Sequence, residues 1–153
     1  MDATHHQPAA AASGSLAGKV AIVTGASRGI GRATALHFAA EGASVALAAR
    51  DSAALAGAVR AIEAAGGHAL AVPTDVADEA SVADLFARTV AAFGRVDVLV
   101  KSAGALANVP FAELDAATWD HVLGVNLRGT FLCCRAAFRQ MCAAGLQAGA
   151  LQV

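Results

Sequence analysis

Three glycines stand within the stretch Thr24-Gly25-Ala26-Ser27-Arg28-Gly29-Ile30-Gly31, directly after a short apolar run and at the start of a helical pattern. Glycines so placed let the backbone turn sharply and bring its N–H groups against a phosphate at the positive end of the helix. Gly31 would also let that helix lie close on a sheet. The loop is not a P-loop, since no Gly-Lys-Ser/Thr follows at the right spacing, nor is it the common G-x-G-x-x-G. Two cations accompany it, Arg28 inside the loop and Arg50 at the end of the next apolar run, about twenty residues on. A carboxylate at the second place would take both hydroxyls of a ribose, whereas a cation suits a 2′-phosphate. Two guanidiniums converging on a dianion give charge-assisted contacts that can be bidentate. The adjoining Asp51 works against the cationic reading. Together these residues describe the capture of a phosphorylated dinucleotide.

The elements that must carry this loop alternate in period. Val20–Thr24 reads as a strand, and Gly29 to Glu41 as a helix with Ile30, Ala33, Leu36 (or His37) and Ala40 near a 3.6 spacing and Gly42 as its stop. Ser44–Ala49 is a second strand. Ser52 can cap a helix that runs to Ala65 and ends at Gly66-Gly67. Ala69–Val72 is a third strand, cut by Pro73. Asp78 opens a helix whose face is Val82, Leu85, Phe86, Thr89, Val90 and Phe93, with Gly94 as its end. Val96–Val100 is a fourth strand. After a loop from Ser102 to Leu114 comes a long helix, capped by Asp115 or Thr118 and running to about Ala144. Fully apolar strands alternating with helices require a parallel sheet covered on both faces. Right-handed crossovers leave the doubly wound Rossmann-type α/β fold, strand order 3-2-1-4, as the leading topology.

With these positions in place, the loop resembles the TGxxxGIG segment of the short-chain dehydrogenase/reductase family at Thr24, Gly25, Gly29, Ile30 and Gly31. The resemblance continues through Asp75-Val76, the Val98-Leu99-Val100 strand with Ala103-Gly104 after it, and Asn126 within Val125-Asn126-Leu127, and is nearest to 3-oxoacyl-carrier-protein-reductase-like members. It implies a cofactor site formed by Gly25, Ser27, Arg28, Gly29, Ile30, Gly31, Arg50, Asp75, Val76, Ala103 and Gly104. Asp75 would touch adenine, or simply form a turn after Pro73-Thr74. With Arg28 and Arg50 present, NADP(H) is expected in preference to NAD(H).

The same resemblance implies hydride transfer between nicotinamide and a carbonyl or alcohol, carried by a Tyr, a Lys, a Ser and an Asn. The chain holds no tyrosine, and its only lysines are Lys19 and Lys101. Of the four catalytic residues only Asn126 is matched, so the chain reads as truncated after its fourth strand-helix unit and inactive alone. Losing one positioned acid or base costs roughly 10²–10⁴ in rate. A second departure is Lys101-Ser102-Ala103-Gly104 where the family has Asn-Asn-Ala-Gly, and a lysine cannot offer an amide's donor and acceptor together. The alternatives are a non-catalytic nucleotide-binding or interaction protein that pairs with a full-length relative, and activity through other residues.

Composition bounds the rest. The chain has 153 residues, is 57% hydrophobic and 15% charged, and carries a net charge of −1 with the signs interspersed, so neither nucleic acid nor an anionic membrane is an expected partner. Residues 1–14 read as a disordered Ala-rich tail without the apolar core of a secretory signal, His5 and His6 included, and residues 15–153 as one domain. Cys133, Cys134 and Cys142 have neither disulfide-framework nor zinc spacing, which fits a reducing, cytoplasmic setting and no metal. His121 reads as a helix-surface residue, Trp119 as an anchor of the long helix and Cys133 as core. With the order 3-2-1-4 the fourth strand is an open edge, and the 115–144 helix resembles one that forms the family's dimer interface, which implies an apolar face for homo- or hetero-oligomers. A marginal, association-prone protein is expected.

Overall fold

A computed structural model describes residues 14–143 and Gly145. Four parallel strands, β1 (Val20–Thr24), β2 (Ser44–Ala49), β3 (His68–Pro73) and β4 (Val98–Lys101), form one sheet in the order β3-β2-β1-β4. Helices α1 (Gly29–Ala40), α2 (Ser52–Ala64), α3 (Glu79–Phe93), α4 (Ala116–Leu123) and α5 (Gly129–Ala143) complete the expected doubly wound architecture. The sheet is covered on both sides by separate apolar clusters. One packs Val82, Leu85, Phe86, Leu132, Cys133 and Met141 of α3 and α5 against it. The other is largely alanine, with Ala35, Ala39 and Ala58 beside Leu55 and Ile62.

Register brings the strand ends that matter to one edge. Thr24 pairs with Ala48 on one side and Lys101 on the other, and Ala49 pairs with Pro73. The loops after all four strands therefore leave the sheet together. At the opposite end Asp97 is buried, accepts the Val20 N–H at 2.9 Å and lies 2.5 Å from the half-exposed Arg95 guanidinium, which pins the starts of β1 and β4.

Several sequence-based expectations shift. α1 buries Gly31, Ala35 and Ala39, and leaves Ile30 80% exposed. In an alanine-rich helix the residues nearest the sheet are the smallest, so the apolar spacing drawn through Ile30 and Ala33 lies off the buried face. The cap of α2 is Asp51, whose carboxylate accepts the Ala54 N–H at 2.9 Å, and not Ser52. β3 extends over His68 and Pro73, and β4 is shifted toward Lys101. Pro73 fits because β3 is an edge strand, where a missing N–H costs no ladder bond.

The long helix is capped by Asp115, but it is not uniform: a wide π turn at Gly124–Arg128 joins α4 to α5. A 3-10 turn at Phe111–Glu113 interrupts the loop before it. Trp119 is 48% exposed and so only half covered by the body; with Leu123, Leu127, Phe131 and Phe138 it forms an exposed apolar stripe along α4, the π turn and α5. His121 is exposed and Cys133 fully buried, as read. Most of the 1–14 tail, with His5 and His6, and Ala144 lie outside the described residues.

Candidate functional site

The convergent strand ends enclose a cleft of about 740 Å³. Gly25, Ser27, Arg28, Gly29, Ile30, Arg50, Asp75, Val76, Ala103 and Gly104 all line it. Of the residues singled out from the sequence, only Gly31 and Asn126 do not.

Gly31 works one layer behind. A Cβ there would stand 2.5 Å from the Gly25 carbonyl oxygen, so only glycine lets α1 start this close to the end of β1. Gly25 itself has φ of 67° and would place a Cβ 2.7 Å from the Ala103 nitrogen. The glycine loop is therefore packed backbone to backbone against the β4 loop. Ala26 N donates to Ala48 O at 3.2 Å and ties the same loop to β2.

The start of α1 differs from its neighbours. α2, α3 and α4 are each capped by an aspartate side chain, Asp51, Asp78 and Asp115 respectively. α1 begins after Arg28 with no side-chain cap. Gly29 and Ile30 of its first turn line the cleft, and a helix start whose first N–H groups have no side-chain cap is the arrangement an anion satisfies. Arg28 and Arg50 are exposed along the same cleft, and neither makes an ion pair with a carboxylate among the described residues. Asp51 also lines the cleft, but its Oδ1 is engaged at the N-terminus of α2.

On the β3 side Asp75 accepts the Ala77 N–H at 3.0 Å, and its own N–H donates to Ser81 Oγ at 3.0 Å. It forms the expected turn and still lines the cleft. The buried Val76 behind it packs so closely on α5 that a Cβ at Gly129 would lie 2.9 Å from Val76 Cγ2.

The β4 side is held by side chains. Thr24 is fully buried, and its Oγ1 accepts the N–H groups of Ser102 at 3.1 Å and Ala103 at 3.2 Å. Sequence reasoning had matched Thr24 without giving it a task; a polar residue ending a wholly apolar strand was the available signal. Lys101 Nζ donates to the carbonyls of Ala103 and, at 3.3 Å, Val125. Burial pushes its ammonium pKa below the ordinary lysine value, opposed by the Cys133 and Cys134 thiols. Asn126 falls within the long helix expected from the sequence. It is exposed on the π turn, where it accepts the Ala105 N–H at 2.9 Å and donates to Ala105 O at 2.8 Å. Arg128, at the end of the same turn, donates to Ala77 O. Ala48, Thr74, Ser102, Ala105 and Val125, to which the sequence gives no binding role, also line the cleft.

The site offers N–H donors, two cations and a shaped apolar floor. No group of three or more His, Cys, Asp or Glu able to hold a metal occurs among the described residues, and no helix there is long and apolar enough to cross a membrane.

Comparison with known proteins follows the same geometry. The sequence model of a family described as short chain dehydrogenase matches residues 19–150. Cis-4-hydroxycyclohexanecarboxylate dehydrogenase of Sinomonas cyclohexanicum is 50% identical over 129 residues, 83% of this chain and 51% of that protein. The 3-oxoacyl-[acyl-carrier-protein] reductase of Synechocystis is 43% identical over 127 residues, 82% of this chain and 51% of that protein. A crystal structure of a short-chain type dehydrogenase/reductase from Mycobacterium marinum superposes with a TM-score of 0.83 at 36% identity, covering 86% of this chain and 53% of that one. The chain spans about half the length of the curated relatives it matches.

Proposed function

The chain belongs to the short-chain dehydrogenase family, and on that premise we propose that its cleft holds a nicotinamide dinucleotide, NADP(H) in preference to NAD(H). Family members are oxidoreductases that use such cofactors, and the residues present fit one. The uncapped start of α1 would take the pyrophosphate, and Gly25 and Gly31 let the loop and the helix start pack backbone to backbone beside it. Arg28 and Arg50 would take the 2′-phosphate, and Asp75 and Val76 would border the adenine. Ala103 and Gly104 would pass along the ribose-phosphate through their backbone. The single observation that carries the reading is that α1, alone among the described helices that begin at or beside the cleft, lacks a side-chain cap while two arginines flank it with no carboxylate partner among the described residues.

When bound, the nicotinamide supplies or accepts hydride at a carbonyl or alcohol carbon. This chain's residues bind and orient the dinucleotide. Asn126, the one candidate catalytic residue present, is occupied by the Ala105 backbone and orders the cleft wall. With no tyrosine in its 153 residues, the polypeptide by itself is proposed to bind cofactor without turning over a carbonyl. A second reading, partnership with a longer relative, is favoured by the exposed stripe from Trp119 to Phe138.

Fluorescence titration with NADPH and NADH tests the proposal. Arg50→Ala should weaken NADPH roughly tenfold or more, the scale of one lost charged hydrogen bond, and leave NADH nearly unchanged. No saturable NADPH binding at millimolar cofactor would remove the reading.

A further inference from the structure

The second wall of the cleft depends on a side chain that the dinucleotide reading does not use. Lys101 ends β4, and its ammonium donates to two carbonyls from different parts of the chain, Ala103 in the loop that follows and Val125 in the π turn. Both of those residues line the cleft.

The π turn explains why a carbonyl is available there. An i→i+5 turn is wider than its α-helical neighbours and leaves carbonyls short of their usual i+4 partner. Two consecutive carbonyls at this point are taken by side chains: Val125 O by Lys101 at 3.3 Å, and Asn126 O by Thr130 Oγ1 at 2.5 Å. The next contact along, between Asn126 and the Ala105 backbone, fastens the far end of the same loop. The segment from Ala103 to Ala105 is thus tied to the π turn at both ends, and Lys101 supplies the charged tie.

We propose that Lys101 is a positioning residue of the nucleotide cleft: by bridging the carbonyls of Ala103 and Val125 it sets the β4 wall at the distance a whole dinucleotide requires. The proposal rests on the reading of the cleft as a dinucleotide site. It makes a prediction about parts of the ligand. The sheet order puts β1 between β2 and β4. A ligand held at Arg28 and Arg50 stays on the β2 side, whereas a full dinucleotide crosses β1 and meets the β4 wall. Lys101 therefore acts on the second and spares the first.

The experiment titrates the 153-residue chain and its Lys101→Met and Lys101→Arg variants with NADPH and with adenosine 2′,5′-bisphosphate, alongside a thermal melt of each. Lys101→Met should weaken NADPH about tenfold and change the bisphosphate by less than about twofold, while Lys101→Arg, which keeps the charge, stays within about threefold of the parent for both. Equal loss of both ligands, or an unchanged NADPH affinity in Lys101→Met, would overturn the proposal. If Lys101→Met gives no cooperative melt, Lys101→Asn replaces it with the same readings. A parent chain that binds neither ligand overturns the nucleotide reading and this one with it. A parent that binds both, with variants indifferent, overturns this one alone.

Discussion

The two walls of the cleft are built by different means. Where β1 runs into α1, the wall is backbone against backbone: Gly31 lies on Gly25, Gly25 lies on Ala103, and no side chain intervenes. At the end of β4 the wall is a loop suspended from side chains, with Thr24 holding its start, Lys101 its middle and Asn126 its end. The first tolerates no added atom. The second tolerates additions but depends on particular donors and acceptors. One rigid wall and one adjustable wall suit the dinucleotide proposed for the cleft, whose diphosphate is constant and whose two ends differ.

The largest effect should come from the backbone wall. Gly31→Val places its side chain against the Gly25 carbonyl and is expected to destabilise the chain by about 3 kcal/mol, the upper part of the range for overpacking. A urea midpoint equal to the parent's would show that α1 can retreat and that the wall is not rigid. The tie between the walls comes next. Thr24→Val removes the acceptor for two N–H groups and should cost about 2 kcal/mol, with Thr24→Ser recovering most of it. If Val and Ser behave alike in the same unfolding assay, the hydroxyl is not what holds the β4 loop.

The smallest effect is a difference in reactivity beneath the second wall. Burial raises the Cys133 thiol to about 11, so at pH 8 it stays protonated as well as covered, whereas Cys142 is exposed. Alkylation at pH 8 should modify Cys142 first and leave Cys133 intact until the chain unfolds. Early modification of Cys133, mapped by peptide mass, would mean that α5 opens away from β4 and that the adjustable wall is looser than its hydrogen bonds imply.

Most of the fold was legible in the sequence because its determinants are local. Apolar runs bounded by glycine gave all four strands, and the strand order followed from handedness. Errors fell where local contrast was low. Alanine occupies both faces of α1, so the pattern did not mark the buried one. At α2 the residue pattern points to Ser52, whereas the backbone is extended at Asp51 and already helical at Ser52, which makes Asp51 the cap. Nothing in Gly124-Val125-Asn126-Leu127-Arg128 announces a π turn, and nothing local to Trp119 tells that about half of its surface stays exposed.

The sequence by itself determined the glycine wall, since glycine spacing acts through the sterics of a few consecutive residues. Tertiary structure alone decided what the unexpected lysine does. Lys101 reaches a carbonyl 24 residues away, in the π turn, and a contact over that separation forms only once the helix segment has packed beside β4.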